Sequence, residues 1–233
     1  MGAPWVLAMG WRDVAFLHYR ADAAVVAAAL PPEVELDRHA GGAWLSIVPF
    51  RLVDVRLRGL PPFPGFRNVA ELNLRTYVRV GGRPGVWFFN LDAANALVAL
   101  SARTMTALPY MAARMRVGRD GDEISYASAR TRDGGDVLFR ARYRATAPLP
   151  PAREGSLERF LHDRGCFFTD RAGGLSIGEI EHAAWPLQGL DVDVERETLG
   201  DQIGHPLPRV PALATFARGV AVRTTAVRRA PGT

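Results

Sequence analysis

The sequence has no lysine; all 29 of its basic residues are arginine. No side chain can therefore form a Schiff base, and imine chemistry is left to the N-terminal amine alone. Cysteine is nearly as scarce. Cys166 stands by itself, which excludes an internal disulfide and a multi-cysteine zinc site and fits a buried apolar residue better than a nucleophile. No apolar run approaches the roughly 18 residues of a membrane span, and the opening MGAPWVLAMGWRDV has no basic segment ahead of its short apolar stretch. A cytoplasmic protein is expected. His39, His162 and His205 show no metal-type spacing, and there is no HExxH, paired histidine or carboxylate cluster. GGRPG (81–85) and RDGGD (132–136) are turn sequences that do not open a helix after a buried strand, as a dinucleotide or phosphate loop requires. A Gly-x-Ser-x-Gly elbow is also missing. Neither metal nor cofactor is expected.

What is present begins with charge. A net charge of +5 and a pI near 10.1 invite a nucleic-acid reading. The arginines, however, are interleaved with 24 acids and form no run longer than Arg228-Arg229, so no nucleic-acid partner is expected. The Ala, Arg, Gly and Pro richness reflects GC-rich coding more than a functional choice. With 233 residues, 48% of them hydrophobic, the chain can bury a sizeable core, and one domain over 1–233 is expected.

Short strand-like runs dominate, at 13–20, 43–52, 71–80, 85–93, 113–119, 123–131, 137–146, 175–183 and 190–196. The turns GGRPG (81–85) and GRDGDE (118–123) imply antiparallel hairpins. Helical spacing is confined to 21–31, 92–109, 155–164 with Ser156 as N-cap, and more weakly 196–204. The Pro-rich segment 147–155 joins two parts of one sheet system rather than two domains.

The stretch AELNLRTYV (70–78) is unusual. Glu71, Asn73, Arg75 and Tyr77 alternate with Leu72, Leu74, Thr76 and Val78, so a strand would carry an acid, an amide, a guanidinium and a phenol on one face. Related patterns recur: Asn90 and Asp92; Tyr126, Ser128 and Arg130; and Arg140, Arg142 and Arg144. A closed antiparallel barrel or cone explains them, with one face packed outward against helices and a second layer and the other lining a polar lumen that holds a small ligand. The alternative is a plain sandwich with these residues in solvent.

The motifs LPPEVELD (30–37), GGAWLSIVPFRL (41–52), RGLPPFPGF (58–66), ELNLRTYV (71–78), GVWFFNLDA (85–93), ALPYMAARMRV (107–117), GSLERFL (155–161) and HAAWPLQ (182–188) together resemble the DUF2071 (YqjF-like) family of uncharacterised bacterial proteins. The resemblance runs over almost the whole chain, with ELNxRTYV and WPLQ its most specific parts. That family in turn resembles the acetoacetate decarboxylase-like superfamily. This implies a mainly β (α+β) fold, a closed, cone-shaped antiparallel β-barrel with flanking helices and a buried polar pocket. By the same resemblance Glu71 stands at the decarboxylase's strand glutamate, NLDAAN (90–95) repeats its Leu-Asp step, and SARTMTALPYM (101–111) runs parallel to its lysine-bearing segment. Tyr110 and Met111 occupy the lysine positions, so Schiff-base decarboxylation is excluded while the pocket can survive.

Within such a pocket an arginine fork matches a carboxylate, a desolvated glutamate can move a proton, and a tyrosine can donate to a developing oxyanion. The expected catalytic residues are Glu71 and Tyr110. The expected substrate-binding residues are Asn73, Arg75, Tyr77, Asp92, His18, Tyr126 and His182. The expected ligand is a small carboxylic or keto acid and the chemistry that of a lyase, isomerase or cyclase, or else the protein is a non-catalytic carrier or sensor. A buried Glu71–Arg75 ion pair and satisfied structural histidines at 18 and 182 are the competing structural readings. No membrane association is expected, and a homo-oligomer is, because relatives with this fold assemble.

Overall fold

The alternating runs become long strands, and the two-residue turns between them set their pairing. In the computed structural model, which describes residues 4–132, 135–171 and 174–230, the principal strands are β1 (Trp5–Ala21), β3 (Ala43–Leu57), β4 (Val69–Val80) and β5 (Arg83–Ala93), then β7 (Arg114–Asp120), β8 (Glu123–Arg132), β9 (Gly135–Pro148), β10 (Cys166–Arg171), β11 (Gly174–His182), β12 (Leu187–Glu197) and β13 (Leu213–Thr225). Short pieces are β2 (Glu35–Leu36), β6 (Tyr110–Ala112) and β14 (Arg228–Arg229); the helices are α1 (Ala23–Ala28), α2 (Ala96–Thr106) and α3 (Leu157–His162).

Among the described residues the strands form one sheet, and a pairing of β11 with β13 closes part of it into a ring of seven, β11-β10-β5-β4-β3-β1-β13. β13 forks. Its C-terminal half closes the barrel on β11 at Val222–Thr224, while Thr215–Ala217 pair with β12 and lead into a second layer, β12-β9-β8-β7. The fold is thus the closed, mainly antiparallel barrel with a few helices that the alternation implied.

Local chemistry explains the boundaries. Gly81 and Gly82, with φ of 56° and 77°, make the left-handed two-residue turn that joins β4 to β5, and Gly121 (φ 55°) serves the turn between β7 and β8. Asp22, Asn95 and Ser156 cap the three helices with side-chain oxygens that accept from backbone N–H groups. α2 is shorter than its apolar spacing suggests because Asp92 and Ala93 still belong to β5 and the chain turns left-handed at Ala107 (φ 56°). The weak helical pattern at 196–204 yields a 3-10 turn at Gly200–Ile203. β10, β13 and the first half of β1 were not anticipated from sequence.

Every residue of β4 from Val69 to Val78 is buried, so both of its faces are covered. Outward, Leu72 and Leu74 join Leu17, Ile47, Tyr126, Phe139 and Tyr143 in a cluster that seals the second layer onto the barrel. At about 1.5–3 kcal/mol for each fully buried large apolar side chain, this layer is a principal source of stability. The arginine row of β9 is the solvent-facing alternative realised. Arg140, Arg142 and Arg144 are exposed and face Glu195 and Asp191 of β12.

One close approach shapes the barrel wall. Gly178 of β11 pairs with Phe167 of β10, and a Cβ at Gly178 would lie 2.3 Å from the phenyl ring. Gly178→Ala is expected to cost about 1–3 kcal/mol through overpacking, seen as a lower denaturant midpoint with an unchanged slope.

Candidate functional site

The inward face of β4 is set by register. Directly opposed residues share a face, and Glu71, Asn73 and Arg75 stand opposite Phe50, Val48 and Ser46 of β3. All three β4 side chains line a cavity of about 440 Å³ inside the barrel. A bulge between β4 and β5 lets Phe88 and Leu91 both face it, and α2 covers one side with Val98, Ser101, Ala102 and Met105, a helical i, i+3, i+4, i+7 row. The lumen differs from the polar one expected. Its walls are mainly apolar, including Trp11, Phe16, Phe50 and Leu52, with the charged and amide groups on β4, Tyr110 near them, and hydroxyls from Ser101, Thr106, Thr224 and Thr225. The apolar partners were legible as alternate residues in AWLSIVPFRL, but periodicity alone does not tell an inward apolar face from an outward one.

Glu71 is buried, and the Tyr110 hydroxyl lies 3.2 Å from each carboxylate oxygen. β6 brings Tyr110 there by pairing parallel to β5, opposite Leu91. Burial raises the Glu71 pKa to about 8, against the Tyr110 hydrogen bond that lowers it and with the nearby Asp92 charge adding to the rise. Burial, then the neighbouring Glu71 charge, holds the Tyr110 phenol well above its usual range. At neutral pH the pair is a carboxylic acid beside a neutral phenol.

Arg75 is 8% exposed, yet no carboxylate pairs with it among the described residues. One Nη donates to the Leu161 carbonyl at 3.4 Å, the guanidinium sits 5.5 Å from the Phe16 ring centroid and 5.9 Å from that of Tyr77, and Nε has no partner. Asn73 Oδ1 is likewise buried without a partner. The Glu71–Arg75 ion pair considered from sequence is therefore not formed. A buried cation and an amide left unsatisfied beside a cavity are costly unless a ligand satisfies them.

Beneath Arg75 lies a chain of hydrogen bonds that fixes α3 to the barrel wall. Tyr77 and Ser46 hydroxyls are 2.7 Å apart, Ser46 Oγ is 2.7 Å from His18 Nδ1, His18 Nε2 is 3.3 Å from His162 Nε2, and the latter is 2.8 Å from Thr215 Oγ1. His162 Nδ1 lies 2.7 Å from the Glu158 carbonyl, which can only accept, so Nδ1 carries the proton. Burial first, then the charges of His162 and Arg75, depress His18 well below 6.5; His162 falls to about 4, mainly through burial. The pair is neutral and holds α3, and hence the Leu161 carbonyl, against Arg75. His162 carries no sequence signal for this role, since its partners are 144 and 53 residues away.

The remaining expected site residues lie outside the cavity lining. Tyr77 and His18 belong to the chain just described. Asp92 stands opposite Leu72 and therefore faces outward, where Arg130 Nε donates to it at 2.8 Å and both side chains are buried. Tyr126 reaches from β8 in the second layer to donate to the Glu71 backbone carbonyl at 2.7 Å. His182 is half-buried at the end of β11, donating to the Ala183 carbonyl, with its ring 4.7 Å from that of Trp185.

Residues 8–221 match the DUF2071 family, described as an uncharacterized conserved protein. The chain is 38% identical over 214 residues to the uncharacterized protein YqjF of Bacillus subtilis strain 168, covering 92% of this chain and 88% of that protein. Among solved structures, the enduracididine biosynthesis enzyme MppR in complex with pyruvate aligns with a TM-score of 0.66 at 16% identity, over 98% of this chain and 91% of the other. Acetoacetate decarboxylase from Legionella pneumophila aligns with a TM-score of 0.65 at 15% identity, over 97% and 88%. An acetoacetate decarboxylase-like enzyme from Sphingomonas wittichii RW1 gives 0.64 at 14%, over 97% and 93%.

Proposed function

The chain belongs to the DUF2071 family and has an acetoacetate decarboxylase-like fold, and from that premise we propose that it binds an organic acid in the barrel and moves a proton with Glu71, as a lyase or isomerase that needs no Schiff base. The reading is carried by a buried glutamic acid, its pKa raised to about 8, in a cavity that also holds an arginine with no carboxylate partner among the described residues. Arg75, with Asn73 beside it, binds the carboxylate through charge-assisted hydrogen bonds. Tyr110 donates to one oxygen of Glu71 and leaves the acidic O–H free to meet a carbonyl oxygen or an enolate carbon of the ligand. The conjugate carboxylate, steadied by the same phenol, then takes a proton back, so the cycle returns the group to its starting state. Proton delivery of this kind weakens as the pH rises through about 8, where Glu71 loses its proton.

Thermal unfolding with a panel of carboxylic and keto acids, pyruvate among them because MppR was solved with it, tests binding. Wild type is expected to gain stability with some acids, and Arg75→Leu to fold while losing at least tenfold in affinity, the cost of about 1.4 kcal/mol or more for a lost charged hydrogen bond. Exchange of the α-protons of a bound keto acid in D₂O, followed by NMR, tests turnover. Exchange that disappears in Glu71→Gln supports the enzyme. Binding with no exchange in wild type makes the protein a carrier or sensor instead.

A further inference from the structure

The cavity is long relative to its volume. Along β3 its lining runs from Val48 to Val55, seven residue steps. With one of those residues spent on the bulge at Asp54 (φ 53°), six steps of about 3.3 Å at a strand tilt of roughly 35–45° give about 14–16 Å along the barrel axis. Spread evenly over that length, 440 Å³ corresponds to a mean section of about 30 Å², enough for one extended chain or a flat ring system.

Its chemistry is graded along the same direction. Arg75, by its register opposite Ser46 and next to α3, lies at one end, and Asn73 and then Glu71 follow at successive alternate positions of β4. Beyond Glu71 the wall is mainly apolar, with Leu52 and Val55 from β3, Met9 from β1, Phe66 from the loop after β3 and Val98 from α2, and Thr224 and Thr225 of β13 as its hydroxyl-bearing residues. A ligand of pyruvate's size satisfies the arginine and leaves that apolar length filled by water. Water gains little there, because mainly apolar walls offer it few hydrogen-bond partners.

We infer that the ligand class is an amphipathic monocarboxylic acid, with its carboxylate on Arg75 and Asn73, the carbons following it beside Glu71 and Tyr110, and an extended apolar tail between Leu52, Val55, Met9 and Phe66. The inference rests on the proposed acid-binding role of Arg75. At about 30 Å³ per water-sized group the cavity holds an acid of roughly ten to twelve carbons.

The test is a titration of the protein with straight-chain monocarboxylates from acetate to tetradecanoate, each below its micellar concentration, with pyruvate as a short reference and the n-alkanols as uncharged controls. Affinity is expected to rise about fourfold per methylene, the factor equivalent to ~0.8 kcal/mol for each buried CH₂, and to stop rising near ten to twelve carbons. Ala102→Phe adds a ring to the exposed-side helix α2 where it faces the cavity. That variant, its folding checked by its melting temperature, is expected to shift the plateau to shorter acids. Pyruvate or acetate binding as tightly as decanoate would overturn the tail and leave Arg75 as an acid site. Decanol binding as tightly as decanoate, with Arg75→Leu without effect, would overturn the anion end and with it the proposed function. Binding of no acid at any length would overturn both.

Discussion

Glutamine in place of Glu71 is expected to abolish a loss of stability that the wild type undergoes as the pH rises from about 5 to 8. The folded protein holds the Glu71 proton to about 8, whereas the unfolded chain releases it near 4.5. Between those values the folded state carries the extra proton, so each unit of rising pH removes up to about 1.4 kcal/mol of stability. Across the whole window the ceiling is about 5 kcal/mol, reached once the buried carboxylate ionises at pH above 8. Glutamine keeps the shape and the contact with Tyr110 and cannot ionise. Urea unfolding at pH 6 and pH 9 checks this: wild type is expected to weaken relative to Glu71→Gln at the higher pH. Parallel profiles for the two proteins would mean that Glu71 ionises as an ordinary carboxylate, and the proton-transfer role would fall with it.

Arg130→Ala is expected to destabilise the fold by about 3–5 kcal/mol, because it strands the Asp92 carboxylate, whose side chain is 1% exposed, without its cation. Burial raises the Asp92 pKa and Arg130 opposes that rise, with the Asn90 amide donating to the same oxygen. Replacing both members by leucine is expected to recover much of the loss, since two apolar side chains leave no buried charge behind. Denaturant midpoints of the single and double variants decide between the two origins. An equal loss in both would assign the cost to packing and not to charge. The pair lies directly behind the Glu71 strand, on the outward face of β5, so it supports the site without touching a ligand.

Much of the barrel was legible because side chains alternate along a strand whatever its neighbours. ELNLRTYV declared two faces of opposite chemistry, GGRPG and GRDGDE declared hairpins, and Ser156 declared a helix start, all from contacts within a few residues. β10 and β13 were missed for the opposite reason. CFFTDR carries no alternation, because both of its faces are covered from Cys166 to Thr169, and the forked role of β13 depends on pairing with β1, β11 and β12 at once. The 196–204 pattern shows the same limit, since its last residues close into a 3-10 turn in which the His205 N–H donates back to the Gly200 carbonyl and the His205 carbonyl packs against Gly200.

The sequence by itself determined that no lysine imine is available, that β4 carries an acid, an amide and a guanidinium on one face, and that this face must be treated differently from a wet one. Which other residues meet that face was decided only by tertiary structure. Asp92, polar and alternating like Glu71, turned outward because register places it opposite Leu72 rather than Glu71, and Tyr126 reaches only the Glu71 backbone carbonyl because β8 lies in the second layer. His18 and His162, 144 residues apart, became one neutral pair because closing the ring of strands brings α3 under Arg75. Alternation fixes the side of a strand on which a residue lies, but the pairing register and the closure of the barrel fix what that side encloses.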